Sequence, residues 1–130
     1  MSTTSTRPLP HRVLLVDDDA DERDAIACFL ELEGAEVAVA GDGEEALNAL
    51  RADPLRCLIL LDLEMPGMDG WEFRRRQRLS PMMARIPVVV VSGLPDLAAA
   101  VQAMSARAAV RKPVELELLL GAVDTHCGGH

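Results

Sequence analysis

Three consecutive aspartates, Asp17, Asp18 and Asp19, follow the apolar run VLLV, and Asp62 closes a second apolar run, CLILL. Ser92 and Gly93 follow PVVVV, and Lys112 with Pro113 follows AAVR. Carboxylates that converge repel one another, which raises their pKa values and destabilises the site. A hard divalent cation relieves that repulsion. Mg²⁺ takes oxygen ligands octahedrally, keeps several waters, and is held by one or two carboxylates plus phosphate oxygens. Carboxylates, a divalent cation, a hydroxyl and an ammonium around one open position make a site for phosphoryl transfer, where positioning and charge neutralisation supply most of the catalysis. The acceptor would be a carboxylate nucleophile that becomes an aspartyl phosphate. Lys112 is the one lysine among 13 basic residues, so a compact ammonium stands where this chain otherwise uses arginine.

These residues share a site only if the chain brings the ends of the apolar runs together. Short apolar runs alternate with helical patterns five times between residues 12 and 123. Strands are expected at 12–17, 36–40, 57–62, 87–92 and 108–111, and helices at 19–33, 42–52, 69–79, 96–106 and 114–123. Asp19 with Glu22, and Asp42 with Glu45, have the spacing of capping boxes, and Gly34 stops the first helix. Apolar runs without alternation are buried on both faces, as in a parallel sheet covered by helices. Five such units predict an α/β, doubly wound, five-stranded parallel sheet, and strand order 2-1-3-4-5 places the first and third strands side by side at the switch point. Ligands in such sheets bind at the carboxyl ends of the strands, where Asp17, Asp18, Asp62, Ser92, Gly93 and Lys112 fall.

The chain has 130 residues and a net charge of −8, enough for one domain with a real core. That charge disfavours direct nucleic-acid binding, and aromatic content of 2% leaves no stacking platform for single strands. The apolar runs near 57–63 and 86–91 fall short of the ~20 residues of a membrane span. Residues 1–10 read as a flexible polar arm without the apolar core of a signal peptide, 11–124 as the globular domain and 125–130 as a flexible tail. Cys28, Cys57 and Cys127 show no CxxC spacing, and reduced thiols in a cytoplasmic protein are expected, with Cys28 and Cys57 in the core. Arg74, Arg75, Arg76 and Arg78 point around a helix and read as a solvated surface. His126, Cys127 and His130 lack zinc-site spacing.

In its motifs the sequence resembles the receiver domain of bacterial two-component response regulators, single-domain chemotaxis receivers included. VLLVDDD at 13–19, DLEMPGMDGWEF at 62–73, VVVVSG at 88–93 and RKP at 111–113 carry the resemblance, in order and each at a strand end. It implies a flavodoxin-like receiver fold and phosphorelay signal transduction. Asp62 matches the phosphoacceptor, and Asp17, Asp18, Asp62 and the Glu64 backbone carbonyl match the ligands of Mg²⁺, with Mn²⁺ as an alternative. Ser92, Gly93 and Lys112 match the groups that contact the phosphoryl. Pro66, Gly67 and Gly70 match the turn beside the acceptor, and the Lys112–Pro113 bond is often cis in the family. The partners implied are a sensor histidine kinase or a histidine phosphotransfer protein, docking near Ala20–Arg23 and Ile26, and a downstream protein reading the surface of 96–106, 108–111 and 114–123. A phosphorylation-dependent dimer and an onward relay both stay open. Such a protein is a phosphoacceptor rather than a turnover enzyme.

Two positions depart from the family pattern. Ala109 stands where a switch tyrosine or phenylalanine is usual, and Glu64 adds a carboxylate two residues after the acceptor. They motivate an alternative, a phosphorylation-independent protein-binding module on the same fold. A third reading takes Asp17 and Asp19 as the DxD of a haloacid-dehalogenase-type phosphatase, but Asp21 stands where that motif needs Thr or Val.

Overall fold

A computed structural model describes residues 11–127; the expected arm, 1–10, and positions 128–130 lie outside the described residues. The elements are β1 (Arg12–Val16), α1 (Ala20–Leu32), β2 (Glu36–Ala40), α2 (Gly43–Ala52), β3 (Leu58–Asp62), α3 (Gly70–Arg78), α4 (Pro81–Ala84), β4 (Val88–Ser92), α5 (Leu97–Met104), β5 (Ala108–Arg111) and α6 (Leu116–His126). The strands form one parallel sheet in the order β2-β1-β3-β4-β5, as the run pattern predicts.

Successive residues of a strand face opposite sides, and both sides of this sheet are apolar. Leu14, Val16, Ile59, Leu61, Val88 and Val90 face α2, α3 and α5, where they meet Leu47, Leu50, Phe73 and Met104. Val13, Leu15, Leu58, Leu60, Val89 and Val91 face α1 and α6, where they meet Ile26, Leu30, Leu119 and Val123. Each such side chain contributes about 1.5–3 kcal/mol on burial, so the sheet that carries the site is the most firmly held part of the chain.

The helix starts follow from short polar side chains. Asp19, Asp42, Asp69 and Asp96 each accept a hydrogen bond from the backbone N–H three residues on. Glu45 completes its box by accepting from the Gly41 N–H at 2.7 Å. α4 was not expected; Ser80 caps it and Pro81 occupies its first position, but four residues are too short to show a period.

Several expectations are corrected. Arg74 is 7% exposed and not solvated: its guanidinium donates to the carbonyls of Met104 and Ser105 at 3.0 Å and to Gln77 Oε1 at 2.8 Å, tying α3 to the end of α5. Cys28 is exposed, because the face of α1 turned to the sheet carries Ile26 and Leu30. Cys57 and Cys127 are joined as a disulfide rather than reduced. α6 runs through His126, past the expected boundary at 124, and the buried Cys127 anchors its end. Among the described residues no helix is long and apolar enough to cross a membrane.

Candidate phosphoryl-acceptor site

β1 and β3 are neighbours, so the residues that end them meet above the sheet. Asp17 and Asp62 are 2% and 3% exposed, while Asp18 is exposed. One carboxylate oxygen from each lies within 4.8 Å of the others. Backbone donors hold the two buried carboxylates in place: Asp19 N–H donates to Asp17 Oδ1 at 2.9 Å, and Glu64 N–H donates to Asp62 Oδ1 at 3.1 Å.

Lys112 reaches this cluster from the end of β5. Its Nζ lies 3.2 Å from Asp62 Oδ2, 4.0 Å from Asp17 Oδ2 and 2.8 Å from Glu22 Oε1. The Lys112–Pro113 peptide bond is cis. Lys112 N–H donates to the Ser92 carbonyl at 3.0 Å, which fixes the start of this loop against β4. The Ser92 side chain is fully buried, and its Oγ accepts from the Leu94 N–H at 3.1 Å. Gly93 follows directly in the loop after β4.

The turn after β3 sets the position of Asp62. Gly67 adopts φ +71°, a conformation few side chains tolerate. Gly70 opens α3 so close to β3 that a Cβ there would lie 2.6 Å from the Asp62 carbonyl oxygen and 2.7 Å from Leu63 Cα. Only glycine permits that approach, which seats α3 on the end of β3.

The electrostatics record crowding. Burial pushes the Asp17 carboxyl up to about 7, helped by the adjacent Glu22 carboxylate and opposed by the Asp19 N–H and Lys112. Glu22 is displaced downward, chiefly by its hydrogen bond with Asp17. Burial also raises Asp62, against the Glu64 N–H and Lys112. Burial works against the Lys112 charge, yet Glu22, Asp62 and Asp17 hold its pKa above the ordinary lysine value. Three carboxylates with such an excess of negative charge fit a hard divalent cation, in number and in ligand type.

Sequence reasoning missed Glu22 as part of the site. Its backbone N–H is capped by Asp19, as the spacing implies, but its side chain turns to Lys112. Asp19 accepts the N-terminal cap hydrogen bond of α1, the role its spacing from Glu22 implies. Ile26, placed near the kinase-docking surface, is buried in the core and cannot contribute to it. Ala109 is half-buried on β5 beside Val90 and packs against the core.

Comparisons with known proteins agree with this geometry. The family model described as "Response regulator receiver domain" matches residues 13–124. The chain is 35% identical over 114 residues, 86% of its length, to the C4-dicarboxylate transport transcriptional regulatory protein DctD of Pseudomonas aeruginosa and to the response regulator PleD of Caulobacter vibrioides. It spans only 24% and 25% of those two proteins. Among solved structures, chemotaxis protein CheY4 of Vibrio cholerae superposes with a TM-score of 0.83 at 28% identity, covering 90% of this chain and 98% of that one. A response regulator receiver protein of Pseudomonas putida gives 0.82 at 31% identity, covering 92% and 99%. A five-stranded sheet in this order, an acidic cluster at its switch point and a family match across nearly all described residues lead to one assignment: the chain belongs to the response regulator receiver domain family of two-component signalling systems.

Proposed function

We propose that this receiver takes a phosphoryl group onto Asp62 from the phosphohistidine of a sensor histidine kinase or histidine phosphotransfer protein. The observation that carries the reading is Lys112 Nζ at 3.2 Å from Asp62 Oδ2, inside a cluster of three carboxylates. An ionised Asp62 oxygen attacks phosphorus, the P–N bond to histidine breaks, and an O–P bond forms. Burial raises the Asp62 carboxyl, and the Glu64 N–H and the Lys112 ammonium oppose that rise by favouring its charged form. A Mg²⁺ or Mn²⁺ ion held by Asp17, Asp18, Asp62 and the Glu64 carbonyl would neutralise phosphoryl oxygens that the carboxylates otherwise repel. Lys112 then pairs with the phosphoryl, and Ser92 and the Gly93 amide supply donors from β4.

The product adds about −1.5 to −2 charges. Lys112 and Ser92, drawn toward it, shift the loops after β4 and β5 and so bias the surface of α5, β5 and α6. Ala109 leaves no aromatic side chain to swing inward, so this readout rests on the loops. The kinase docks over the exposed start of α1, near Ala20–Arg23, beside the cleft.

The half-buried, small Ala109 favours a second reading, a binding module that does not depend on phosphorylation. Trp71 separates the two, since it follows Gly70, whose backbone packs on Asp62, and it is the one tryptophan. Adding beryllofluoride with Mg²⁺ changes Trp71 fluorescence in the wild type and leaves Asp62→Asn unchanged under the first reading. No change in either protein favours the module.

A further inference from the structure

A second group of chemically active side chains lies at the opposite, amino-terminal end of the sheet. His11 precedes β1, Cys57 precedes β3 and Cys127 caps α6. One imidazole nitrogen and the two sulfurs lie within 4.8 Å of one another. The sulfurs are joined as a disulfide, with Cα atoms 4.8 Å apart and a sequence separation of 70. We propose that, once this disulfide is reduced, His11, Cys57 and Cys127 bind a thiophilic divalent cation, Zn²⁺.

Two thiolates and an imidazole are the ligand types of zinc centres, with Zn–S bonds of about 2.3 Å and Zn–N bonds of about 2.0–2.1 Å. Tetrahedral ligands at those lengths stand about 3.5 Å apart, inside the span of this cluster once the sulfurs part by side-chain rotation. The surroundings suit a thiolate. The Arg12 backbone N–H donates to Cys57 Sγ at 3.2 Å. The guanidiniums of Arg12 and Arg56 are both paired with Asp53, four residues before Cys57.

A carboxylate also stands behind the histidine. His11 Nε2 lies 3.2 Å from Asp124 Oδ1. Carboxylates take this position behind metal-bound histidines, where they fix the tautomer and strengthen the other nitrogen as a ligand. With Nε2 held by Asp124, Nδ1 of His11 is the nitrogen left for the metal. A cleft of about 220 Å³ bordered by Pro54, Arg56, Arg85 and Pro87 reaches Cys57 from solvent.

The chemistry balances with a dithiol as reductant. It delivers two electrons and two protons to the disulfide, becomes a disulfide itself, and leaves Cys57 and Cys127 as thiols. Binding Zn²⁺ then displaces both thiol protons to solvent. Oxidation of the pair and occupancy by metal exclude each other, so the amino end of the sheet holds either a covalent bond or an ion.

Titration of the reduced full chain with Co²⁺, in excess Mg²⁺ to fill the carboxylate cluster, tests this. The expected result is a thiolate-to-cobalt charge-transfer band in the near ultraviolet that saturates near about one equivalent and is bleached by Zn²⁺. Carboxylates cannot produce that band, so the result is independent of the acceptor site. Cys57→Ser and Cys127→Ser should each lose the band, and Asp124→Asn should weaken binding about 10- to 100-fold. His11→Ala, which keeps both cysteines and so tests the site without disturbing the sulfur pair, should weaken binding at least as much. Reduced wild type without the band overturns the proposal, as does a band that survives in Cys127→Ser with its fold intact by circular dichroism. Either result leaves this locus a disulfide alone.

Discussion

The two ends of the sheet carry opposite kinds of chemistry. At the carboxyl end, Asp17, Asp18 and Asp62 offer hard oxygen ligands, with Lys112 as their counter-charge. At the amino end, His11, Cys57 and Cys127 offer nitrogen and sulfur, and Arg12, Asp53 and Arg56 form the surrounding charge network. The carboxyl end leaves charge uncompensated: burial raises both Asp17 and Asp62, and only an added cation would relieve the crowding. The amino end is already satisfied by a covalent bond. One sheet thus keeps a responsive end and a fastened end, joined by strands buried on both faces.

The largest expected effect breaks the fastened end. Reducing the disulfide, or Cys57→Ser, releases a constraint across 70 residues and should lower stability by about 2–4 kcal/mol in urea unfolding. A midpoint unmoved by reduction would show that α6 is held by Leu119 and Val123 alone. At the responsive end, Gly70→Ala drives a Cβ into the Asp62 carbonyl and should cost about 2–3 kcal/mol by the same assay. A neutral result would mean that α3 can retreat without cost.

Arg74 lies between the ends and tests whether α3 and α5 move together. Arg74→Met leaves the Met104 and Ser105 carbonyls without their donor, a loss of about 1–3 kcal/mol. Mg²⁺ sharpens the comparison in another way. It should raise the melting temperature of the wild type and of Cys57→Ser, but not of Asp17→Asn. A rise retained in Asp17→Asn would place the cation elsewhere. The smallest effect is expected at Glu72, held down at about 2 by Arg75 and Arg76 on the outer face of α3, where ion pairs add little to stability. Glu72→Gln should leave the urea midpoint where it is.

The two ends also differed in how far the sequence revealed them. Asp17, Asp62, Ser92 and Lys112 each terminate an apolar run, so a parallel sheet brings them together without any knowledge of packing. Residues 11, 57 and 127 share no spacing, and only the docking of α6 shows that they meet. Arg74 was misread for a related reason. It sits in a run of arginines, and nothing local marks which one the end of α5 will cover. Glu22 has the spacing of a capping partner, and that local role hid its reach to Lys112. Cys127 follows a polar stretch that reads as tail, but it caps a helix whose inner face is apolar.

If the responsive end is a phosphoryl acceptor, Asp62 is the residue that carries the group. Intact mass after incubation with Mg²⁺ and acetyl phosphate tests it most directly, with Asp62→Asn measured beside the wild type. A single phosphoryl adduct on the wild type and none on the variant is the expected result. An adduct that persists in Asp62→Asn, or none on wild type with Mg²⁺ demonstrably bound, would contradict it.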